Sequence, residues 1–201
     1  MRKALDSIQA MTAVNNQATV ADYLALERSS DVKHEFIAGQ IVAMAGASFA
    51  HNIVAHNVSR SLGNALEESP CRVCPSDMRI RTRSTLYTYP DVAVVCAKPQ
   101  FDGDRQDILL NPILIVEVLS TSTKAYDRGQ KFEHYQSIAS LQTYILISQD
   151  RIHVDRFEKQ PDGEWKLKSF NSVDGLLALP TLNITLPISD FYKKVEFPPP
   201  V

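Results

Sequence analysis

Two short apolar segments, each bounded by a carboxylate, constrain this chain more than any other feature. Asp91 precedes the apolar residues 92–95, and Glu117 follows the apolar residues 113–116. Continuous apolar runs of this length are typical of strands that are buried on both faces of a sheet. A carboxylate beside such a strand takes up a proton unless a partner or a cation stabilises its charge. The two acids therefore predict a site that binds a cation.

The length and charge of the chain restrict its class. Its 201 residues are 44% hydrophobic and 22% charged, which is ordinary for a globular protein. We expect one domain over residues 19–195, between a flexible tail at 1–18 and a C-terminal tail at 196–201. A net charge of −2 argues against a protein that coats nucleic acid non-specifically. The sequence has no apolar run long enough for a membrane span and no secretory signal, so we expect a cytoplasmic protein with no membrane partner.

Hydrophobic periodicity predicts a mixed α/β domain. Thr19 and Asp22 resemble a helix-capping box, and Ser48 can cap a longer helix with apolar residues at helical spacing. Residues 34–44 resemble a hairpin with a glycine turn, and a further helix is expected over residues 126–138. Other strands are predicted over residues 78–83, 91–96, 113–119, 143–148, 152–157 and 165–170, and a loop over residues 97–111. One domain that mixes helices and strands accommodates this order.

The cysteines predict no disulfide framework, because their number is odd. Cys71 and Cys74 have the spacing of a zinc or redox motif. A second pair of zinc ligands is not evident, however, and the segment between the two is strand-like rather than the start of a helix. We therefore expect Cys71, Cys74 and Cys96 to be structural residues.

A set of short motifs resembles one family of nucleases and covers most of residues 20–192. The motifs lie at residues 34–41, 44–48, 51–52, 89–91, 115–120, 122–123, 127–129, 131–132 and 135. In this order they resemble the Uma2 family, a branch of the PD-(D/E)XK nuclease superfamily. The resemblance implies a restriction endonuclease-like core, with a mixed central β-sheet flanked by helices. It also implies a nuclease that hydrolyses DNA with Mg²⁺ (or Mn²⁺) and works as a homodimer.

Three acids are the candidate metal ligands. Asp91 and Glu117 offer the hard oxygen ligands that Mg²⁺ prefers, and a bound cation can activate water and neutralise charge on a phosphate. The resemblance implies that Glu35 lies near the same metal. Taken singly, Asp91 also suits a turn residue at a strand start, and Glu117 also suits an interior ion pair.

The position of the expected catalytic lysine departs from the superfamily pattern. That pattern places a lysine two residues after the second acid, where this chain has Leu119. Such a lysine orients or deprotonates the attacking water and offsets charge in the transition state. Lys131 is the best substitute, because the helix after the Glu117 strand can return its side chain to the site, and the resemblance implies the same relocation. Lys124 is the weaker candidate because it precedes the predicted helix.

Basic residues near these acids are candidates for substrate binding. Arg79, Arg81 and Arg83 alternate, so on one strand all three would project from one face, where they could hold phosphates. An exposed charged strand face explains the same pattern. His51 near a helix start could contact substrate or form a local hydrogen bond.

The function favoured by the sequence is hydrolysis of DNA phosphodiester bonds by a divalent-metal-dependent endonuclease. In this interpretation Asp91, Glu117 and Glu35 bind Mg²⁺, and Lys131 positions the nucleophile. The main alternative is a catalytically inactive nucleic-acid-binding or mobile-element-associated protein that retains the nuclease fold. A metal-dependent hydrolase of small phosphoesters is a third interpretation.

Overall fold

A computed structural model describes residues 17–197, which fall into two units, residues 17–44 and residues 45–197. Most of the predicted N-terminal tail and residues 198–201 of the predicted C-terminal tail lie outside the described residues. The expectation of one domain over residues 19–195 stays a prediction. Among residues 17–197, no helix combines the length and the apolar character needed to cross a membrane.

The N-terminal unit consists of a helix and a hairpin, as predicted. Helix α1 (Val20–Ser29) starts with the expected capping box, in which the Thr19 side chain accepts a hydrogen bond from the Asp22 backbone and Asp22 accepts one in return. Strands β1 (His34–Ile37) and β2 (Gln40–Ala43) pair antiparallel. Gly39 has a φ of 88° in the turn, a conformation that glycine adopts without steric cost.

The second unit carries the remaining elements. Its helices are α2 (Phe49–Ala65), α3 (Lys124–Arg128), α4 (Gln130–Gln136) and α5 (Ile188–Phe191). Its first strands are β3 (Arg72–Pro75), β4 (Arg79–Arg81), β5 (Tyr87–Thr88), β6 (Val92–Val95), β7 (Ile108–Leu109) and β8 (Leu114–Leu119). Its later strands are β9 (Thr143–Ser148), β10 (Val154–Lys159), β11 (Trp165–Phe170), β12 (Leu176–Leu179) and β13 (Ile184–Pro187).

A mixed six-stranded sheet forms the centre of this unit, in the order β11-β10-β9-β8-β6-β3. β8 and β9 run parallel, and the other neighbours run antiparallel. Every residue of β8 and β9 is buried, as expected for strands covered on both faces. Val116 packs in one apolar cluster with α2, and Ile115 packs on the opposite face with residues of α4. The predicted mixed α/β fold with flanking helices is thereby confirmed.

Two local predictions are wrong. The helix expected over residues 126–138 is two short helices, α3 and α4, separated at Gly129, whose φ of −111° and ψ of −104° leave the helical region. The loop expected over residues 97–111 contains the two-residue strand β7. Strands β5, β12 and β13 were not predicted. The two-residue strands β5 and β7 carry too little periodicity to be recognised in a sequence.

The odd cysteine count conceals one disulfide, which the spacing along the chain did not predict. Strands β3 and β6 are antiparallel neighbours with Arg72 opposite Val95. This register brings Cys71 next to Cys96, and the two form a disulfide. Cys74 has a free thiol and is half-buried. The pairing rests on strand register, which spacing along the chain does not reveal.

Reduction of the Cys71–Cys96 disulfide is expected to destabilise the protein. The bond closes a loop of 25 residues, and removing such a constraint from the unfolded chain costs about 3–4 kcal/mol. For a domain of this size, that corresponds to a melting temperature lower by roughly 10 °C. Thermal unfolding with and without reductant measures the difference, and thiol titration of the denatured, unreduced protein should find Cys74 alone reactive. Equal melting temperatures, or three reactive thiols before reduction, would contradict the prediction.

Candidate active site

Strand register brings the two predicted metal ligands together. Val92 on β6 and Val116 on β8 are directly opposite each other. Asp91 immediately precedes the first of these residues and Glu117 immediately follows the second, so the antiparallel pairing places the acids at neighbouring positions. An Asp91 carboxylate oxygen also accepts a hydrogen bond of 2.7 Å from the backbone N–H of Val118. The fold therefore brings both carboxylates to the same end of the paired segments of β6 and β8.

Glu117 is buried and has two donors on one oxygen. Its Oε1 accepts a hydrogen bond of 2.7 Å from the Tyr135 hydroxyl and lies 2.9 Å from Lys131 Nζ. Burial is the main cause that raises the pKa of Glu117 to about 8, and the charges of Asp91 and Asp127 raise it further, whereas Lys131 and Tyr135 lower it. Burial thus makes the ionised form of Glu117 unfavourable even beside Lys131. A proton or a divalent cation would relieve this penalty.

Asp91, Glu117 and Asp127 form an acidic cluster, and Lys131 reaches this cluster from α4. Its side chain is buried, and its Nζ lies 3.7 Å from Asp127 Oδ1 as well as 2.9 Å from Glu117 Oε1. The ammonium is also 5.9 Å from the centre of the Tyr126 ring, within reach of a cation–π interaction. Leu119, at the position where the superfamily pattern has lysine, is buried in the apolar cluster beneath α4.

The weaker candidate, Lys124, begins α3 and is exposed. The structure thus brings Lys131, rather than Lys124, into contact with Glu117.

His51 contacts the first acid from α2. Ser48 caps this helix, and His51 lies in its first turn with Nε2 3.3 Å from Asp91 Oδ2. Burial by itself lowers the pKa of His51, but the hydrogen bond and the charge of Asp91 outweigh it, so the pKa is raised. The expected position of His51 beside the site agrees with this contact, and its role in substrate binding stays a prediction.

Glu35 belongs to the N-terminal unit. It lies on β1 opposite Val42 and is 8% exposed. Its proximity to a metal stays a prediction.

The arginines do not form the predicted row of three. β4 ends at Arg81, and Arg83 lies in the turn that follows, so one strand face carries two of them. Arg79 is buried and donates from Nε and Nη2 to the Tyr89 hydroxyl, and Arg81 pairs with Asp102 at 2.8 Å. Arg83 is exposed. Binding of phosphates by these residues stays a prediction.

Two residues that contact Glu117 or Lys131 belong to the motifs that resemble the family, but sequence reasoning assigned them no role in the site. Tyr135 donates to Glu117, and Asp127 is the second acid within 4 Å of Lys131. Asp127, Lys131 and Tyr135 follow one another at intervals of four, the spacing of neighbours on a helix surface. That interval was the available signal for placing both residues beside Lys131.

The acids present fit a hard divalent cation with few protein ligands. Within residues 17–197, no group of three or more His, Cys, Asp and Glu side chains is arranged to hold an ion. Asp91 and Glu117 together offer two carboxylates. Mg²⁺ is commonly bound by one or two carboxylates and keeps several waters, so this donor set suits Mg²⁺ better than a metal that needs a closed protein cage.

The mixed sheet flanked by helices and the paired acids agree with the restriction endonuclease-like core that the resemblance implies. The model of the Uma2 family, described as "Putative restriction endonuclease", matches residues 20–189. The chain therefore belongs to the Uma2 family, which confirms the resemblance inferred from the motifs.

Relatives and a solved structure agree with this membership. The chain is 40% identical over 158 residues to the protein sll1609 of Synechocystis sp., covering 78% of this chain and 89% of that protein. It is 36% identical over 177 residues to slr1290 of the same organism, covering 88% and 92%. A crystal structure from Anabaena variabilis, described as a putative nuclease belonging to DUF820, superposes with a TM-score of 0.67 at 18% identity and covers 82% of this chain and 92% of that one. This likeness shows a shared fold.

Proposed function

We propose that the protein is a divalent-metal-dependent endonuclease that hydrolyses phosphodiester bonds in DNA. The observation that carries the proposal is the contact of 2.9 Å between Lys131 Nζ and Glu117 Oε1. A lysine beside a metal-binding acid is the feature that the strand sequence lacks, because Leu119 stands at the usual position. The contact supplies that lysine from a helix instead.

Each residue then has a distinct chemical role. Asp91 and Glu117 would hold Mg²⁺ or Mn²⁺, with Glu35 as a further acid near the ion. The bound metal would supply a polarised water and offset charge on the phosphate. Lys131 Nζ would orient the attacking water and offset the negative charge that develops during hydrolysis.

The cluster also explains why a cation would bind here. Burial and the neighbouring acids raise the pKa of Glu117, so the carboxylate is unfavourable until positive charge is added. A divalent ion adds that charge at the point where the negative phosphate of DNA must approach. His51, Arg79, Arg81 and Arg83 are candidates for holding this phosphate.

A homodimer in the cytoplasm completes the proposal. Two copies would provide the two active sites needed to cut both strands of a duplex. The oligomeric state in solution is measured by sedimentation, and an obligate monomer that cuts both strands would argue against this part.

The purified protein is expected to cut plasmid DNA when Mg²⁺ or Mn²⁺ is added and to stop when the metal is chelated. A small phosphoester such as p-nitrophenyl phosphate, assayed in parallel, tests whether the substrate is instead a small molecule. Calorimetry with Mn²⁺ measures metal binding without relying on turnover. Absence of both cleavage and metal binding would overturn the proposal and favour a nucleic-acid-binding protein without catalysis.

A further inference from the structure

The position of Lys131 depends on how its helix is attached to the sheet. In the superfamily pattern the lysine lies on the same strand as the second acid, so the strand itself sets the distance between them. Here Lys131 lies on α4, which follows α3 after a break at Gly129. Seven residues of helix have little stability of their own, so contacts with the rest of the fold must determine where α4 begins.

A buried acid on β10 anchors the end of α3. Asp155 is 2% exposed, and its Oδ2 lies 2.6 Å from Nη1 of Arg128, the last residue of α3. The same carboxylate accepts a hydrogen bond of 2.5 Å from the Ser169 hydroxyl and contacts His153 Nε2 at 3.0 Å. Burial alone raises the pKa of Asp155, but Ser169, Arg128 and His153 together outweigh it and lower the pKa. The carboxylate is therefore kept ionised for its partner on α3.

A second contact holds the neighbouring residue of α3. The hydroxyl of Tyr144, on β9, donates a hydrogen bond of 2.9 Å to the backbone carbonyl of Asp127. Asp127 and Arg128 are thus attached to adjacent strands immediately before the break at Gly129. α4 starts at the next residue, and Lys131 is its second residue. The two contacts therefore hold the chain immediately before the helix that carries Lys131.

We infer that Asp155, through its ion pair with Arg128, is a positioning residue that holds Lys131 against Glu117. For catalysis the inference rests on the proposed function. The contact takes the place of the strand backbone that would otherwise fix the lysine. Asp155 itself belongs to β10, two strands away from the Glu117 strand in the sheet order, and acts through Arg128 and the helix break.

A double-mutant cycle tests the inference. Asp155→Asn is expected to lower kcat for DNA cleavage by about 10–100-fold, because small displacements of a catalytic group have effects of this size. In a Lys131→Met background the same substitution should have less than about a twofold effect, because residues that act as a unit are not additive. Glu158→Gln is the matched control, since it removes an acid of the same strand that pairs with Arg156 at 2.8 Å. This control substitution should leave kcat for DNA cleavage unchanged in both the parent and the Lys131→Met protein.

A readout that needs no activity keeps the test independent of the proposed function. The side-chain ammonium of Lys131 should give a slowly exchanging ¹H–¹⁵N signal, because it is buried and bonded to Glu117. This signal, assigned by its loss in Lys131→Arg, should disappear in Asp155→Asn and persist in Glu158→Gln. If the parent does not cleave DNA, the proposed function fails while this measurement still decides the inference.

A second variant separates positioning from misfolding. Arg128 is the more exposed partner of the ion pair, with 36% of its side chain exposed, and Arg128→Gln removes the pair from that side. Asp155 keeps its contacts with Ser169 and His153, so this variant should fold even if Asp155→Asn does not. It is expected to lose the Lys131 signal in the same way. A retained Lys131 signal in the folded Arg128 variant, or full additivity with Lys131→Met, would overturn the inference.

Discussion

Asp91→Asn is expected to reduce metal-dependent DNA cleavage by about 10³-fold or more, because a bound metal contributes several kcal/mol to charge stabilisation in the transition state. The amide oxygen of asparagine can still accept the hydrogen bond from the Val118 N–H. The fold should therefore survive while the ligand charge is lost. Cleavage rates and Mn²⁺ binding by calorimetry measure the two effects.

Asp190→Asn is the matched control for this substitution. Asp190 pairs with Lys193 at 2.6 Å on a partly exposed surface, and it belongs to α5, apart from the acids of the site. Cleavage and metal binding by this variant should equal those of the parent. An Asp91→Asn protein that binds Mn²⁺ and cleaves DNA as the parent does would remove Asp91 from the metal site.

Lys131→Met is expected to lower cleavage by about 10²–10³-fold, the usual range for losing one group that moves a proton or offsets developing charge. Methionine has a similar length and suits a buried position. Because the Lys131 charge lowers the pKa of Glu117, its removal should raise that pKa above about 8. Glu117 holds its proton at neutral pH in the parent and would keep it to a still higher pH in this variant, so metal binding should require a higher pH.

The pH dependence of metal binding separates the two roles of Lys131. In the parent, Mn²⁺ affinity should rise with pH as Glu117 loses its proton, since metal ligands must be deprotonated. In Lys131→Met the same rise should occur at higher pH, whereas Lys131→Arg keeps the charge and should resemble the parent. Cleavage by Lys131→Met at the parental rate, at a pH where both proteins are saturated with metal, would exclude a catalytic role.

The Glu117 carboxylate, which lies inside β8, illustrates what sequence reasoning can predict. An acid next to an unbroken apolar run contradicts the expected burial pattern, so it indicates a special environment without any knowledge of the fold. The helix caps at Thr19 and Ser48 could also be predicted from the sequence, because a cap depends on three or four consecutive positions. Such signals are local, and the structure contains them where they were expected.

The contacts that complete the site depend on residues far apart in the chain. Asp155 reaches Arg128 only because α3 packs against the sheet that contains β10, and Cys71 pairs with Cys96 only through the register of β3 and β6. The break at Gly129 was missed because a single glycine is also tolerated within a helix. Each of these features follows from tertiary packing rather than from local propensity.

By itself the sequence determined that two carboxylates would lie within or beside buried strands, that Lys131 was the best replacement for the absent strand lysine, and that the chain resembles the Uma2 family. Burial preferences and motif order are properties of short segments, so they can be read without a fold. Only the tertiary structure decided that Lys131 rather than Lys124 contacts Glu117, and that Asp155 and Tyr144 hold the helix that carries it. These distances depend on how β8, β9, β10 and the helix break pack together, and no spacing along the chain encodes that packing.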